Sequence, residues 1–307
     1  MNHANSRTPT QWRNALFVVF TINGLGFSTW LARVPAIRDG LDISTAEVAA
    51  LLFTGALGAV SGLVFSSHII AWLGLRNTIL FFGLLGLLGL AGIGVGSAWV
   101  SSYALTVIAI IMAGAGNGIA DVAMNVEGAA VEKAVNRNIM PWFHAYWSLG
   151  TVAGAGLSAL MSFLGVGIAP HTIVMALIMA PTLWFVSRFM TSNPEAGGED
   201  GVEQKSTLAD RLRVWKEPRT LAIGVIALGM AFAEGSANDW LALAIVDGRD
   251  QTNAVGALWF GFFTVGMMAG RIGGVYLLDR FGRVPVLQGS ESEEHTSELQ
   301  SRMKISY

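Results

Sequence analysis

Cysteine is absent from the sequence, and charged side chains are scarce: Asp, Glu, Lys and Arg together make up 13% of the 307 residues. Without cysteine the chain cannot form disulfides, thiolate metal sites or a thiol nucleophile. Soluble domains carry roughly 25% charged residues, so about half that value is typical of a membrane protein. The formal net charge of −2 gives no basic surface for nucleic acid, and we expect no nucleic-acid partner.

The sequence also lacks the short motifs that carry common enzyme chemistry. No P-loop, no H-E-x-x-H and no G-x-S-x-G occurs in it. Gly114, Gly116 and Gly118 alternate, but they lie within an apolar run rather than after a strand, so they do not indicate a dinucleotide site. We therefore expect no metal site, no cofactor and no enzymatic activity.

Long apolar runs are abundant, because 53% of the residues are hydrophobic. A membrane-spanning helix needs about 20 predominantly apolar residues. Eight runs approach or exceed that length: 14–33, 46–71, 77–96, 101–126, 142–164, 170–190, 220–245 and 254–278. Most Lys and Arg residues of the connecting loops fall on the side of the N-terminus, which predicts a multi-pass protein of the bacterial inner membrane with a cytoplasmic N-terminus.

A polar stretch after the sixth run divides the chain. Gly58, Gly62 and Gly74 recur at one constant offset as Gly266, Gly270 and Gly282, which indicates a parallel duplication. We predict a six-helix N-terminal bundle over 1–190, a cytoplasmic linker over 191–219 and a partial C-terminal bundle of two helices over 220–288. Residues 289–307 contain SEEHTSELQS, which resembles translated sequencing adapter, and we interpret them as an artefactual tail.

The loop after the eighth run carries a D-R-x-G-R motif, formed by Asp279, Arg280, Gly282 and Arg283. This motif resembles the signature loop of the major facilitator superfamily, and the duplicated bundles and central linker fit the same family. The resemblance implies an all-α membrane protein with the major facilitator fold, C-terminally truncated, with the first two helices of its second bundle. It also implies that these four residues form a conformational loop. Arg271 lies eight residues before Asp279 on the same helical face, and because a charge there is costly unless paired, we expect it to belong to this loop and to form a structural ion pair.

A polar stripe interrupts the fourth run. Asn117, Asp121, Asn125 and Glu132 lie on one side of a helix, and such a stripe must face a cavity or another helix because a mid-membrane carboxylate costs about 3 kcal/mol or more. The stretch GNGIADVAMN resembles the fourth helix of the fucose-permease-like branch. That resemblance implies a cavity lined by Asn117 and Asn125 and proton coupling at Asp121. A packing role between helices is the alternative.

The first and seventh runs contain four more candidate substrate-binding residues. Asn23 and Trp30 are seven residues apart and share a helical face, as do Glu234 and Asn238, which are four apart. Amides and carboxylates suit the recognition of hydroxyl groups, and the indole of Trp30 can stack on a sugar ring.

Other polar residues are predicted to lie near the membrane surfaces. Glu127 is placed at the cytoplasmic interface together with Glu132. Asp239 is placed toward the outer mouth and Arg33 at the outer interface, where binding of an anionic substrate is the alternative. His144 belongs either to an aromatic belt or to the groups that contact protons or hydroxyls.

These observations predict a secondary active transporter that moves a small polar solute, for example a sugar or polyol, across the plasma membrane. Transport would be proton-coupled and proceed by alternating access in a monomer. Efflux of a small organic molecule is the first alternative, and it predicts a more apolar cavity. A non-transporting membrane receptor or scaffold is the second, and it needs no titratable group in the cavity.

Overall fold

A computed structural model of the chain describes residues 8–190 and 218–282, together with Pro285. The described chain folds into helices, in agreement with the expected all-α class. They are α1 (Pro9–Leu31), α2 (Val34–Leu41), α3 (Thr45–Leu73), α4 (Leu75–Gly94), α5 (Tyr103–Val135), α6 (Met140–Phe163), α7 (Ile168–Ser187), α8 (Pro218–Gly248) and α9 (Asn253–Phe281). A π-helical turn, Val95–Trp99, extends α4. The predicted tail 289–307 and most of the predicted linker lie outside the described residues.

Local sequence signals explain where several helices begin and end. Thr8 and Gln11 form a capping box at the start of α1, and Ser44 and Glu47 form another at the start of α3. Each box gives partners to backbone N–H groups that a helix start leaves unpaired. Gly74, with a φ of 75°, separates α3 from α4. Glycine adopts this backbone conformation without the strain that a Cβ causes, so the chain turns sharply between two long helices.

Seven helices of the described chain are long and apolar enough to cross a membrane: α1, α3, α4 with its π-helical turn, α5, α7, α8 and α9. The helix α6 has similar length, but its serines, glycines and aromatic first turns lower its mean hydropathy. Its predicted role as a membrane span therefore stays a prediction. The outer face of α3 carries Phe53, Phe65 and Trp72, which are 61%, 59% and 83% exposed. Such a face is stable when it contacts lipid rather than water.

Contacts between residues divide the chain into two units, Met1–Thr264 and Val265–Tyr307. In the first unit, small residues bring helix backbones together. A Cβ atom at Gly24 would collide with the backbone carbonyl of Trp147, and one at Gly150 would collide with that of Thr21. The helices α1 and α6 therefore pack at backbone distance, as membrane helices do where glycines line their contact.

The second unit contains the described part of the predicted conformational loop. Arg280 Nη1 donates a hydrogen bond to the hydroxyl of Tyr276 at 2.9 Å, and Gly282 has a φ of 78°. The positive φ explains why glycine follows the helix end at this position. Arg271 is half-buried on the same helix. The side chain of Asp279 and all of Arg283 lie outside the described residues, so the predicted ion pairs of this loop stay a prediction.

Candidate functional site

A cavity of about 200 Å³ lies among α1, α3, α4, α5, α7 and α8. Apolar side chains form most of its wall, together with glycines on α1, α3, α4 and α5. Four polar side chains also line it: Asn23, Trp30, Asn117 and Asp239. Three of these four are residues that the sequence predicted as substrate-binding, and they come from two different helices.

Asn23 is fixed by one neighbour and keeps hydrogen-bonding capacity for the cavity. Its Oδ1 atom accepts a hydrogen bond of 2.9 Å from Nε1 of Trp147 on α6. That bond orients the amide, because a planar amide with its oxygen held has little freedom left. The amide nitrogen donates to no other described residue. It therefore presents two N–H donors that a solute can use.

Asn117 and Trp30 line the cavity without polar partners. Neither side chain forms a hydrogen bond with another described residue. Trp30 packs against all three apolar clusters of the first unit, and this packing holds its ring in place. Buried polar groups are normally paired, so unpaired ones beside a cavity indicate a place for a ligand or water.

Asp239 lines the cavity although it is not one of the residues predicted to bind substrate. Its side chain shares the cavity wall with the two asparagines, and its position toward the outer mouth stays a prediction. No hydrogen bond or ion pair joins its carboxyl group to a described residue. The available signal was the position of a carboxylate inside a long apolar run, which is a strong indicator of function in membrane proteins.

Asp121 and Asn125 belong to the same helical stripe as Asn117 but are not among the lining residues. Asn125 Nδ2 donates a hydrogen bond of 2.8 Å to the backbone carbonyl of Asp121. The carboxyl group of Asp121 interacts electrostatically with His144 on α6. The stripe therefore divides into Asn117 at the cavity and a half-buried acid that interacts with α6. The proton-coupling role of Asp121 stays a prediction.

Glu234 and Asn238, both on α8, are not among the cavity-lining residues. Asn238 is buried, and its Oδ1 atom has no hydrogen-bond partner among the described residues. Glu234 is half-buried one turn away. Their predicted contact with a solute stays a prediction, while the adjacent Asp239 occupies the cavity wall.

Two acids that were expected at a membrane surface have structural partners. Glu127 is fully buried within the protein, and its depth at the cytoplasmic interface stays a prediction. It accepts a hydrogen bond of 2.6 Å from Nε1 of Trp12. This contact ties α5 to α1. Glu132 Oε2 accepts hydrogen bonds from the backbone N–H groups of Ile139 and Met140, each of 2.8 Å. It therefore holds the turn in which α6 begins.

Arg33 is buried within the protein, with only 4% exposure, and its depth at the outer interface stays a prediction. Its guanidinium donates to the backbone carbonyls of Ser158 at 3.3 Å and Val166 at 2.8 Å. Burial lowers the pKa of Arg33 below its ordinary value. These bonds give partners to carbonyls near the end of α6, and Arg33 does not line the cavity.

Polar contacts join the two halves of the chain at the end of the cavity near Trp30. Arg38 on α2 pairs with Asp247 on α8 and with Asp39, the latter at 2.8 Å. Asn253 at the start of α9 donates to Asp39 at 3.0 Å. The hydrogen bond to Asp247 is the main reason that the pKa of Arg38 is raised. We call these four residues the Arg38 cluster.

An apolar layer lies beside the Arg38 cluster. Leu31 and Leu52, which line the cavity, belong to one buried cluster with Leu243 and Phe260 of the second half. Trp30 packs against the same cluster. Apolar packing therefore joins α1 and α3 to α8 and α9 beside the cavity, and polar contacts join α2 to α8 and α9.

Comparisons with known proteins agree with this architecture. No protein-family model matches the chain. An uncharacterised MFS-type transporter of Yersinia pestis is 28% identical over 272 residues, which cover 89% of this chain and 67% of that protein. An uncharacterised transporter of Sinorhizobium fredii is 28% identical over 286 residues, covering 91% of this chain and 71% of its own length.

Solved structures give the fold. The nucleoside transporter NupG aligns with a TM-score of 0.66 and 13% identity, over 89% of this chain and 68% of NupG. The chain thus spans about two thirds of the length of the proteins it matches. Its relatives are transporters, which supports the expectation that it is not an enzyme. The homologues and the shared fold together support a multi-pass membrane transporter of the major facilitator superfamily.

Proposed function

We propose that the chain is a secondary transporter that moves a small polar solute through the cavity by alternating access. The observation that carries this proposal is the set of polar side chains in the cavity. The amide of Asn117, the indole of Trp30 and the N–H groups of Asn23 have no partner there among described residues. Groups of this kind cost free energy when buried unpaired, so their presence favours a solute that supplies partners.

The side chains suit a solute with a ring and several hydroxyl groups. Asn23 offers N–H donors, Asn117 offers a donor and an acceptor, and Trp30 offers an aromatic face for stacking. Sugars and polyols, the solutes that the fucose-permease-like resemblance implies, carry several hydroxyl groups. NupG is a nucleoside transporter. Nucleosides combine a hydroxylated sugar with a flat base, so they are the first solutes to test beside hexoses.

Proton coupling is assigned to Asp121. It lies one helical turn from Asn117, on the same helix, and interacts with His144 rather than with the cavity. A change in its protonation can alter the contact between α5 and α6 and thereby the position of Asn117. In this proposal the protein resides in the bacterial inner membrane as a monomer with its N-terminus in the cytoplasm.

Alternating access requires that the contacts beside the cavity near Trp30 separate in one of the two states. The Arg38 cluster and the layer around Leu243 and Phe260 join α2 and α1 to α8 and α9. Separation of these contacts would open the cavity on that side. Rocking of two bundles about a central site is how transporters of this architecture expose the site to each side in turn.

The test compares two transport modes in proteoliposomes that contain the full chain. Uphill uptake of labelled uridine and labelled glucose is driven by an imposed pH gradient, and counterflow is measured without one. Asp121→Asn should abolish uphill uptake while counterflow persists, because only the coupled mode needs the proton. Asp42→Asn, which changes a carboxyl in the turn between α2 and α3, serves as the control and should leave both modes unchanged.

Uphill uptake at the wild-type level in the Asp121→Asn variant would contradict the coupling role. Efflux of a small organic molecule is favoured by one observation, the mostly apolar wall of the cavity. An efflux protein should tolerate Asn117→Ala and should move apolar solutes outward. Solute binding without movement in either direction would instead support a receptor.

A further inference from the structure

The cavity contains a single kind of fixed charge. Among the described residues that line it, Asp239 alone has an ionisable side chain, and the wall contains no Lys, Arg or His. The carboxyl group has no hydrogen bond or ion pair with any described residue. A negative group in a mostly apolar wall thus faces the space in which a solute would lie.

Two arginines of the first unit, Arg33 and Arg38, form hydrogen bonds or ion pairs away from the cavity wall. Arg33 donates to two backbone carbonyls, and Arg38 pairs with Asp39 and Asp247. Neither is among the cavity-lining residues. When Asp239 is ionised, the field inside the cavity is therefore set by its carboxylate, because the described lining residues supply no counter-charge. Because the surroundings are apolar, that field is screened less than it would be in water.

We infer that Asp239 makes the cavity selective for charge, so that it admits neutral solutes and small organic cations that carry hydrogen-bond donors and rejects anions. This inference rests on the proposed function for its relevance to transport. It adds a specificity-determining residue and a class of excluded substrates. An anion that entered would meet the carboxylate and find no cation among the described lining residues.

The chemistry of the other groups fits the same selection. A carboxylate accepts hydrogen bonds and does not donate when ionised, so it prefers solutes with O–H or N–H groups. The faces of Trp30 and Phe27 attract cations through their negative centres. Asn23 can donate hydrogen bonds to neutral groups, and Asn117 can both donate and accept them. Neutral and cationic solutes thus find partners, whereas the negative charge of an anion is opposed.

The absence of cysteine from the chain permits a test that needs no knowledge of the substrate. The variant Ala56→Cys introduces one thiol at an exposed, cavity-lining position on α3. Its rate of modification is measured with a cationic reagent, trimethylammonioethyl methanethiosulfonate, and with an anionic one, sulfonatoethyl methanethiosulfonate. Each rate is divided by the rate of the same reagent with Asn138→Cys, which places a thiol in the exposed turn before α6.

With Asp239 in place, the normalised rate for the cation should exceed that for the anion by about tenfold. Adding Asp239→Asn should bring the ratio close to one, and adding Asp239→Glu should retain the preference. The Glu variant guards against misfolding, because it keeps the charge in a slightly longer side chain. Asn138→Cys should give the same rates with either residue at position 239.

The inference is overturned by a ratio near one with Asp239 present, by a ratio that Asp239→Asn leaves unchanged, or by no reaction of either reagent at Ala56→Cys. A ratio that falls equally at Asn138→Cys would also overturn it, since the effect would then be a general one. The proposed function can fail separately, because a chain that does not transport would still show these reaction rates.

Discussion

The Arg38 cluster and the cavity both contain polar side chains, but the two regions treat them differently. In the cluster, Arg38 pairs with two acids and Asn253 donates to one of them. In the cavity, Asn117 and Asp239 have no polar partner among the described residues. Paired polar groups stabilise a fold or one of its states. Unpaired polar groups at a cavity cost stability unless a ligand or water supplies their hydrogen-bond partners, so they indicate a binding site.

The largest effect on stability should follow from breaking a buried pair. Trp12→Phe keeps an aromatic side chain, although a smaller one, and removes the N–H that donates to Glu127 at 2.6 Å. Because the carboxyl oxygen is fully buried, we expect a loss of about 2 kcal/mol in the free energy of unfolding. Thermal unfolding in detergent measures it. Trp72→Phe, at an 83% exposed position, is the matched control and should not shift the transition.

An intermediate effect is expected in the Arg38 cluster. Arg38→Ala should destabilise the chain by about 1 kcal/mol or less, since Asp247 is 41% exposed and solvent screens the pair. The exchange Arg38→Asp with Asp247→Arg should recover part of the stability that either single change removes. If the double variant is as unstable as the sum of the singles, the two residues do not interact in the way the structure shows.

The smallest effect on stability, and the largest on binding, is expected in the cavity. Asn117→Ala removes an amide that has no partner among the described residues, so unfolding should shift by less than about 0.5 kcal/mol. Binding of the transported solute should weaken about tenfold, as for a lost hydrogen bond. A strong loss of stability with unchanged binding would reverse the comparison and make Asn117 a packing residue.

Composition predicted the all-α class but not every helix boundary, since α2 (Val34–Leu41) was not predicted as a separate helix and α5 extends to Val135, beyond the predicted end at 126. Apolar runs gave the all-α class and the approximate spans, because the bilayer fixes the length of a spanning helix. Helical spacing also identified Asn23, Trp30 and Asn117, which line one cavity. Spacing alone shows which residues share a face of one helix, and a cavity forms where faces of several helices meet.

The remaining positions depend on tertiary packing that the sequence does not display. Glu127 resembled an interfacial acid, but the indole of Trp12 reaches it from another helix. Arg33 resembled a surface cation, but carbonyls near the end of α6 receive its donors. Asp239 was not among the predicted substrate-binding residues, but its side chain lines the cavity wall. Each of these placements involves residues far apart in the chain.

The central claim is that the solute passes through the cavity, and blocking the cavity tests it most directly. The Ala56→Cys variant in proteoliposomes is treated with methyl methanethiosulfonate, an uncharged reagent that attaches a small group to the only thiol. Counterflow of the transported solute should fall to background, recover on reduction with dithiothreitol, and stay unaffected in Asn138→Cys. Undiminished counterflow after complete modification of Ala56→Cys would contradict the account.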